Sequence, residues 1–187
     1  EKILTEGRET VSLVSSADRY FNFLKSNLKI SFNGSEAGFK NKVNGSEWRE
    51  VATRHLLYGW ESRSAFPSFF NYHAGSRRVK NRIRTETVNS FTDRVTFLDL
   101  DFRINRQWNI KVQTERYYFG RSKEACYFMD LEARYDLIRN KLTLYLFGNN
   151  LFNTKTFRNY AVSDISVTRT EYRLQPRFLL LKAEYRF

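Results

Sequence analysis

The sequence has no apolar stretch long enough to cross a membrane as a helix. Such a helix needs roughly 18 or more consecutive apolar residues. The longest runs in this chain, such as Phe178 to Leu181, are much shorter. Proline is also scarce, with two residues, and methionine occurs once. If the chain spans a membrane, it therefore does so with β-strands.

Cysteine is nearly absent too. Cys126 is the single one, so no internal disulfide can form. This excludes a small secreted scaffold held by disulfides and is compatible with a bacterial envelope protein. Near Glu1 the sequence lacks a basic start followed by an apolar core and a small-residue cleavage site. We therefore expect a processed chain or a fragment.

Aromatic residues and positive charge are what the chain has in excess. Aromatic residues make up 17% of the sequence, yet the mean hydropathy is -0.59. Strands with one apolar and one wet face give this combination. The formal net charge of +12 also admits a basic soluble β-protein that binds nucleic acid. The apolar stripes described next argue against that alternative, so we predict no nucleic-acid partner.

Apolar and polar residues alternate with a period of two along much of the chain. Leu98, Leu100 and Phe102, for example, interleave with Asp99 and Asp101. Similar segments begin at Trp108, Tyr127, Leu142 and Leu179, and less regular ones cover residues 28–32, 56–60 and 70–74. We predict an all-β fold with about 8–9 antiparallel transmembrane strands that form part of a larger barrel.

Connections of two lengths are predicted to alternate. Tight turns are expected at residues 23–26, 65–68, 105–107 and 139–141, and longer loops at 34–47, 84–89, 120–125 and 149–169. Outer-membrane barrels place short turns toward the periplasm and longer loops outside the cell. Aromatic clusters at residues 69–70, 117–119 and 127–128 fit the girdles at the two bilayer interfaces, although strand propensity alone also explains them.

The C-terminal motifs resemble those of a known family. Residues 148–155 contain the run Asn150, Leu151, Phe152 and Asn153. A loop, residues 172–177 and a final strand follow, and in that strand Leu181, Ala183, Tyr185 and Phe187 alternate with charged residues. In these features the chain resembles the C-terminal β-barrel region of TonB-dependent outer-membrane receptors of the Bacteroidetes type.

This resemblance implies that residues 1–187 are the C-terminal portion of a barrel of about 22 strands, with the N-terminal plug and earlier strands outside this sequence. The implied function is active uptake of a bulky nutrient across the outer membrane of a Gram-negative bacterium. The implied partners are an inner-membrane energy-coupling complex, a surface lipoprotein, outer-membrane lipid and lipopolysaccharide, and the remaining strands and plug or a partner chain. The residues ending at Phe187 resemble the signal read by the barrel-assembly machinery.

A second interpretation is a barrel of this family that no longer transports and serves as a subunit of a larger outer-membrane complex. No motif indicates an enzyme or a cofactor. Asp99 and Asp101 have a spacing that could serve acid–base catalysis, but charges that face a water-filled lumen explain them better. His55, His73 and Cys126 lack the spacing of metal ligands, so we predict no metal site.

The densest positive patch contains Arg77, Arg78, Lys80, Arg82 and Arg84. We interpret it as a solvated strand end and loop that contact lipopolysaccharide phosphates. Recognition of an anionic substrate and binding of nucleic acid are the alternative interpretations.

Overall fold

The computed structural model describes residues 3–43, 45, 47–67, 69–120, 122–139, 141–162 and 167–187. Within them the chain forms eleven strands: β1 (Ile3–Phe21), β2 (Ser26–Val43), β3 (Arg49–Ser64), β4 (Phe70–Arg84), β5 (Val88–Arg103), β6 (Trp108–Phe119), β7 (Glu124–Ile138), β8 (Leu142–Asn149), β9 (Thr156–Val162), β10 (Val167–Arg173) and β11 (Phe178–Tyr185). No helix in this described part of the chain is long and apolar enough to cross a membrane.

Nine of these strands form one antiparallel sheet. Its order is β1-β2-β3-β4-β5-β6-β7-β8-β11, which follows the chain except that β9 and β10 are left out. Those two strands pair with each other and make a separate hairpin. The sheet confirms the predicted all-β, antiparallel fold and its strand number, whereas the hairpin lies in a segment that the sequence analysis assigned to a loop.

The register of the strands separates an apolar face from a polar face. Residues directly opposite each other in an antiparallel sheet point to the same side. One continuous row across β5, β6, β7, β8 and β11 consists of Leu100, Val112, Leu131, Gly148 and Leu179. The adjacent row on the opposite side contains Asp99 and Gln113. The predicted alternation therefore places whole rows of like residues on one side of the sheet.

Strands β1 to β5 are longer than a membrane requires. They contain 19, 18, 16, 15 and 16 residues, whereas a tilted transmembrane strand needs about 9–11. The predicted loop at residues 34–47 is wrong for most of its length, because β2 continues to Val43. Asn33 and Gly34, which look like a turn, pair with Leu57 and Leu56 of β3. The predicted loops at 84–89 and 120–125 shrink to 85–87 and 120–123.

The connections give the sheet an orientation. Residues 22–25, 65–69, 104–107 and 139–141 join strands at one edge, as predicted, although residues 68 and 140 lie outside the described part. The extended ends of β1 to β5 and the connection 150–177 with its hairpin lie at the opposite edge. Since short turns of outer-membrane barrels face the periplasm, we assign this second edge to the exterior.

Candidate functional site

An aromatic belt lies on the apolar face, near the edge with the short turns. Phe70, Phe102, Trp108 and Tyr135 occupy this level on β4 to β7. The ring centroids of Phe70 and Phe102 are 5.2 Å apart, and those of Trp108 and Tyr135 are 4.5 Å apart. Further along the same face, aliphatic residues are exposed, including Leu181 at 71%. An exposed apolar band bordered by rings is the surface that a bilayer requires.

The aromatic clusters of the sequence divide between the two faces. Tyr118 pairs with Ala125, and Tyr127 pairs with Arg116. Both pairs lie an even number of residues from the Val112–Leu131 pair of the apolar row, so Tyr118 and Tyr127 point to the apolar face. Tyr117, Phe119 and Phe128 lie on the polar face, where the rings of Tyr117 and Phe128 meet edge to face at 5.7 Å. The expected girdle is therefore wrong for these three residues, since neighbours along a strand point to opposite sides.

Charged residues form rows across the polar face. One row consists of Arg63, His73, Asp99 and Gln113 on β3 to β6. The adjacent row consists of Asp101, Lys111 and Glu132 on β5 to β7. Opposite charges thus face each other across strands, and each such pair stabilises a sheet by roughly 0.2–1 kcal/mol. These rows place Asp99 and Asp101 on the same face, as predicted.

His73 lies between two carboxylates of the neighbouring strands. Its Nδ1 is 3.5 Å from Oδ2 of Asp99, and its Nε2 is 3.8 Å from Oε2 of Glu61. A concave region of about 500 Å³ opens beside this group, with Arg63 and Gln113 among its lining residues. The arrangement offers hydrogen-bond donors and acceptors of both charges to water or to a polar ligand.

The three candidate metal ligands are not brought together. His55 Nδ1 is 2.6 Å from Oδ1 of Asn81, and Cys126 Sγ donates to the carbonyl oxygen of Thr156 at 3.8 Å. His73 makes the carboxylate contacts already described. Among the described residues, no group of three or more His, Cys, Asp or Glu side chains could hold a metal ion.

The predicted family motif forms the turn that follows β8. Asn150 and Asn153 have φ angles of 50° and 56°, a region that asparagine tolerates better than most residues. Asn150 Nδ2 donates to the carbonyl oxygens of Thr154 and Gln175, both at 2.8 Å. Asn153 Oδ1 accepts a hydrogen bond from the backbone N–H of Arg177 at 3.2 Å. The two asparagines therefore fasten both ends of the connection that carries β9 and β10.

The two apolar residues of the motif have different environments. Leu151 covers Gly148, because a Cβ atom at Gly148 would lie 3.0 Å from Cδ2 of Leu151 and 3.2 Å from Cδ2 of Leu179. The backbone N–H of Leu151 also donates to the carbonyl oxygen of Met129 at 2.8 Å. Phe152 remains 56% exposed. Leu151 is thus the residue that seals the turn against the sheet.

The β9–β10 hairpin folds over the polar face at its exterior end. The Phe157 ring centroid lies 5.3 Å from that of Tyr117, 5.5 Å from that of Phe119 and 6.1 Å from that of Phe128. No sequence pattern predicted this inward contact. The signal that could have revealed the hairpin is the alternation of Phe157 and Tyr172 with charged neighbours in two short segments.

Ion pairs hold the same hairpin. Arg158 Nη1 is 2.6 Å from Oε1 of Glu124, and its Nε is 2.9 Å from Oε2 of Glu171. Glu171 also binds Arg169 Nη2 at 3.1 Å. The Arg158 guanidinium lowers the pKa of Glu171 chiefly through this hydrogen bond, and the two carboxylates raise the pKa of Arg158.

The predicted assembly signal lies on the last strand. Leu181, Ala183 and Tyr185 alternate along β11, which pairs with β8 on one side only in the described residues. Phe187 follows the end of the strand and is fully exposed. Its ring meets that of Tyr185 edge to face at 5.1 Å. These residues thus form an apolar stripe beside an unpaired strand edge.

The predicted basic patch is split by the sheet. Arg77 lies on the polar face, in the row of Gly59 and Val95. Arg78, Lys80, Arg82 and Arg84 lie on the apolar face, on the part of β4 nearest the exterior edge. A single binding surface cannot therefore contain all five residues.

A long antiparallel sheet with a lipid-suited apolar face and a charged opposite face defines the wall of a transmembrane β-barrel. The model of the outer membrane protein beta-barrel family matches residues 51–185. The chain therefore belongs to this family, and its location is the outer membrane of a Gram-negative bacterium. No curated protein and no solved structure matches the chain.

Proposed function

We propose that the chain forms part of the wall of a TonB-dependent transporter of the Bacteroidetes type, which takes up a bulky nutrient with energy supplied from the inner membrane. The observation that carries this proposal is the charged polar face, with its rows of alternating charge and the concave region beside His73. An interior of this polarity suits a water-filled path or a plug.

The strand edges support a wide barrel. In the described residues β1 pairs only with β2, and β11 only with β8. Hydrocarbon cannot satisfy the free backbone groups of an edge, so closure needs further strands. A barrel wider than nine strands has an interior that side chains do not fill, which leaves room for a channel or for a plug. The missing strands would come from the remainder of a longer protein or from a partner chain.

Uptake by living cells tests the transport proposal. Cells that lack the full-length protein are given labelled oligosaccharides, peptides or metal chelates, with the protein restored from a plasmid. Restored uptake of one nutrient class that stops when a protonophore is added is the expected result. Uptake that continues without energy indicates a passive pore and contradicts the proposal.

Variants in the polar face sharpen this experiment. We expect Asp99→Asn combined with Asp101→Asn to reduce uptake at an unchanged level of the protein in the outer membrane, because both carboxylates line the interior. Glu86→Gln, in the connection 85–87, removes a single carboxylate outside the sheet and should leave uptake unchanged.

The unpaired edges also favour a second candidate function, a non-transporting subunit of an outer-membrane complex. A second chain that completes the sheet would satisfy the edges of β1 and β11. Full uptake in cells without the protein, together with a stoichiometric partner in mild detergent extracts, would favour this function over transport.

A further inference from the structure

Basic side chains gather on the apolar side of the sheet, at its exterior end. The group contains Arg54 on β3, Arg78, Lys80, Arg82 and Arg84 on β4, Arg94 on β5 and Arg116 on β6. We call it the outer basic cluster and propose that it binds the phosphate groups of a phosphorylated glycolipid in the outer leaflet of the membrane. This inference depends on the membrane location and not on transport.

The depth of the cluster matches a lipid headgroup. Arg78, Arg94 and Arg116 each lie eight residues from a residue of the aromatic belt on their own strand, which is roughly 26 Å for a rise of about 3.3 Å per residue. With a strand tilt of about 40°, this gives roughly 20 Å along the membrane normal, close to the top of an apolar band about 25 Å tall. Lys80 lies at that boundary, and Arg82 and Arg84 lie beyond it, among the headgroups.

The cluster contains like charges that need a counterion. Arg78 lies directly opposite Arg94, and Arg54 directly opposite Arg82. Like charges in these positions destabilise a sheet unless an anion lies between them. Arg54 has a partner in Glu36, at 2.7 Å. The other members of the cluster have no ion pair within the described residues.

Glu36 of β2 lines the same hollow as Arg54, Arg82 and Arg84, but the strands that carry most of the cluster lack carboxylates on this face. In the described residues, the apolar-face positions of β4, β5 and β6 contain no Asp or Glu side chain. Arg94 Nε is shielded from solvent and has no hydrogen-bond partner in the described part of the chain. Phosphate oxygens would supply the missing acceptors, because guanidinium groups bind phosphates through two parallel hydrogen bonds.

Each of Arg78, Arg94 and Arg116 also lies next to a tyrosine ring. Tyr58 lies opposite Arg78, and Tyr118 lies opposite Arg94. The Arg116 guanidinium stands 5.6 Å from the ring centroid of Tyr127, which is itself 47% exposed. A ligand that contacts the tyrosine rings as well as the arginines must carry acyl chains below its phosphates. This requirement selects a membrane glycolipid over a soluble anion.

Arg77 provides the internal contrast. It adjoins Arg78 in sequence but faces the opposite side of the sheet, so it cannot reach the same lipid. The basic patch of the sequence therefore contributes four side chains to the cluster, and the strands beside it contribute three that are distant in sequence.

Lipid binding to the full-length protein in detergent tests the proposal. Native mass spectrometry with added bisphosphorylated lipid A measures the bound fraction. We expect the triple variant Arg78→Gln, Arg82→Gln, Arg94→Gln to bind about tenfold more weakly, since each loses a charge-assisted phosphate contact. The control triple Arg77→Gln, Arg103→Gln, Arg106→Gln removes the same charge elsewhere and should bind like the wild type. Equal weakening of both triples would overturn the proposal.

Two further measurements separate the cluster from general attraction. Dephosphorylated lipid A and phosphatidylglycerol should bind the wild type weakly, and inorganic phosphate should not displace lipid A. Equal binding of phosphatidylglycerol, or full displacement by phosphate, would overturn a glycolipid site. If the Gln triple fails to fold, Arg78→Lys with Arg94→Lys keeps the charge and should still weaken binding, because lysine cannot make the paired contact.

Discussion

Asn150 Nδ2 donates a hydrogen bond of 2.8 Å to the carbonyl oxygen of Gln175, and so joins the two ends of the connection between β8 and β11. The same amide group donates to the carbonyl oxygen of Thr154, and its Oδ1 accepts from the backbone N–H of Thr154 at 2.9 Å. Asn150, which the sequence indicated only as part of a family motif, thus has a structural role. It fixes where the hairpin leaves the sheet and where it returns.

Replacing Asn150 should therefore loosen the hairpin. Asn150→Ala removes three hydrogen bonds and strains a residue with φ 50°. We expect a loss of local stability of about 1–3 kcal/mol. Hydrogen exchange at residues 154–158 measures it. Asn150→Gly avoids the strain but still lacks the three side-chain hydrogen bonds. The amide hydrogens of residues 154–158 should therefore still exchange faster in Asn150→Gly than in the control Asn149→Ala. Wild-type exchange in both Asn150 variants would contradict the prediction.

Acid should release the same hairpin. The pKa of Glu171 is lowered from its ordinary value of 4.5 by its hydrogen bond to Arg158. A carboxyl with a lowered pKa stabilises the folded form above its ordinary pKa, and this contribution is lost as the pH falls through the lowered value. We therefore expect protease cleavage within residues 156–173 to increase below about pH 4.5.

The variant Glu171→Gln tests the cause. It should make cleavage faster at neutral pH and nearly independent of pH, because its side chain does not titrate. Glu86→Gln, in the connection 85–87, serves as the control. A pH dependence that is the same in wild type and Glu171→Gln would show that another group controls the release.

The strands of the main sheet could be read from the sequence because their two faces meet different solvents. Leu98 to Phe102 and the later segments alternate for most of their length, and the structure places strands there. The N-terminal strand β1 gave no comparable pattern, since Ser15, Ala17 and Arg19 lie on its apolar face. Its position in the sheet follows from its pairing with β2 and not from alternation within β1 itself.

Two kinds of error had physical causes. Turn-forming pairs such as Asn33–Gly34 do not make a turn where neighbouring strands on both sides satisfy their backbone groups. The alternation that begins at Tyr127 extends to Leu137 in the sequence, but a register shift in β7 places Ile138, and not Leu137, opposite Leu142. Arg77 and Arg78 were grouped in one patch because they were assigned to a strand end and loop, whereas β4 contains both and so turns them to opposite faces.

Depth on the apolar face should control the cost of a charge. Leu146 pairs with Ala133 and Leu181 in the aliphatic band, whereas Leu144 pairs with Tyr135 of the aromatic belt. Leu146→Arg should therefore cost about 2–4 kcal/mol and Leu144→Arg about 0–1 kcal/mol. Urea unfolding of the full-length protein, refolded into lipid, measures both. Equal costs would contradict the membrane depths assigned to these residues.

The polar face supplies the control for this series. Thr143 faces it and donates to Oδ1 of Asp136 at 2.8 Å, with Glu184 opposite on β11. Thr143→Arg loses that hydrogen bond but gains two nearby carboxylates, so we expect a change within about 1 kcal/mol. A loss as large as that of Leu146→Arg would mean that the two faces are assigned wrongly.

Phe187 should matter for assembly and not for the stability of the folded sheet. It is fully exposed, and its ring contact is with Tyr185 at 5.1 Å, so Phe187→Asp removes little packing. As the end of an apolar stripe beside an unpaired edge, it is suited to pairing with assembly machinery. We expect Phe187→Asp to lower the amount of protein in the outer membrane severalfold, with an unchanged urea midpoint.

Lys123→Asp, at a turn position with φ 56° that aspartate tolerates, is the control and should reach the membrane normally. Equal membrane levels of the two variants would contradict an assembly role, and a parallel fall in the urea midpoint would assign the effect to folding.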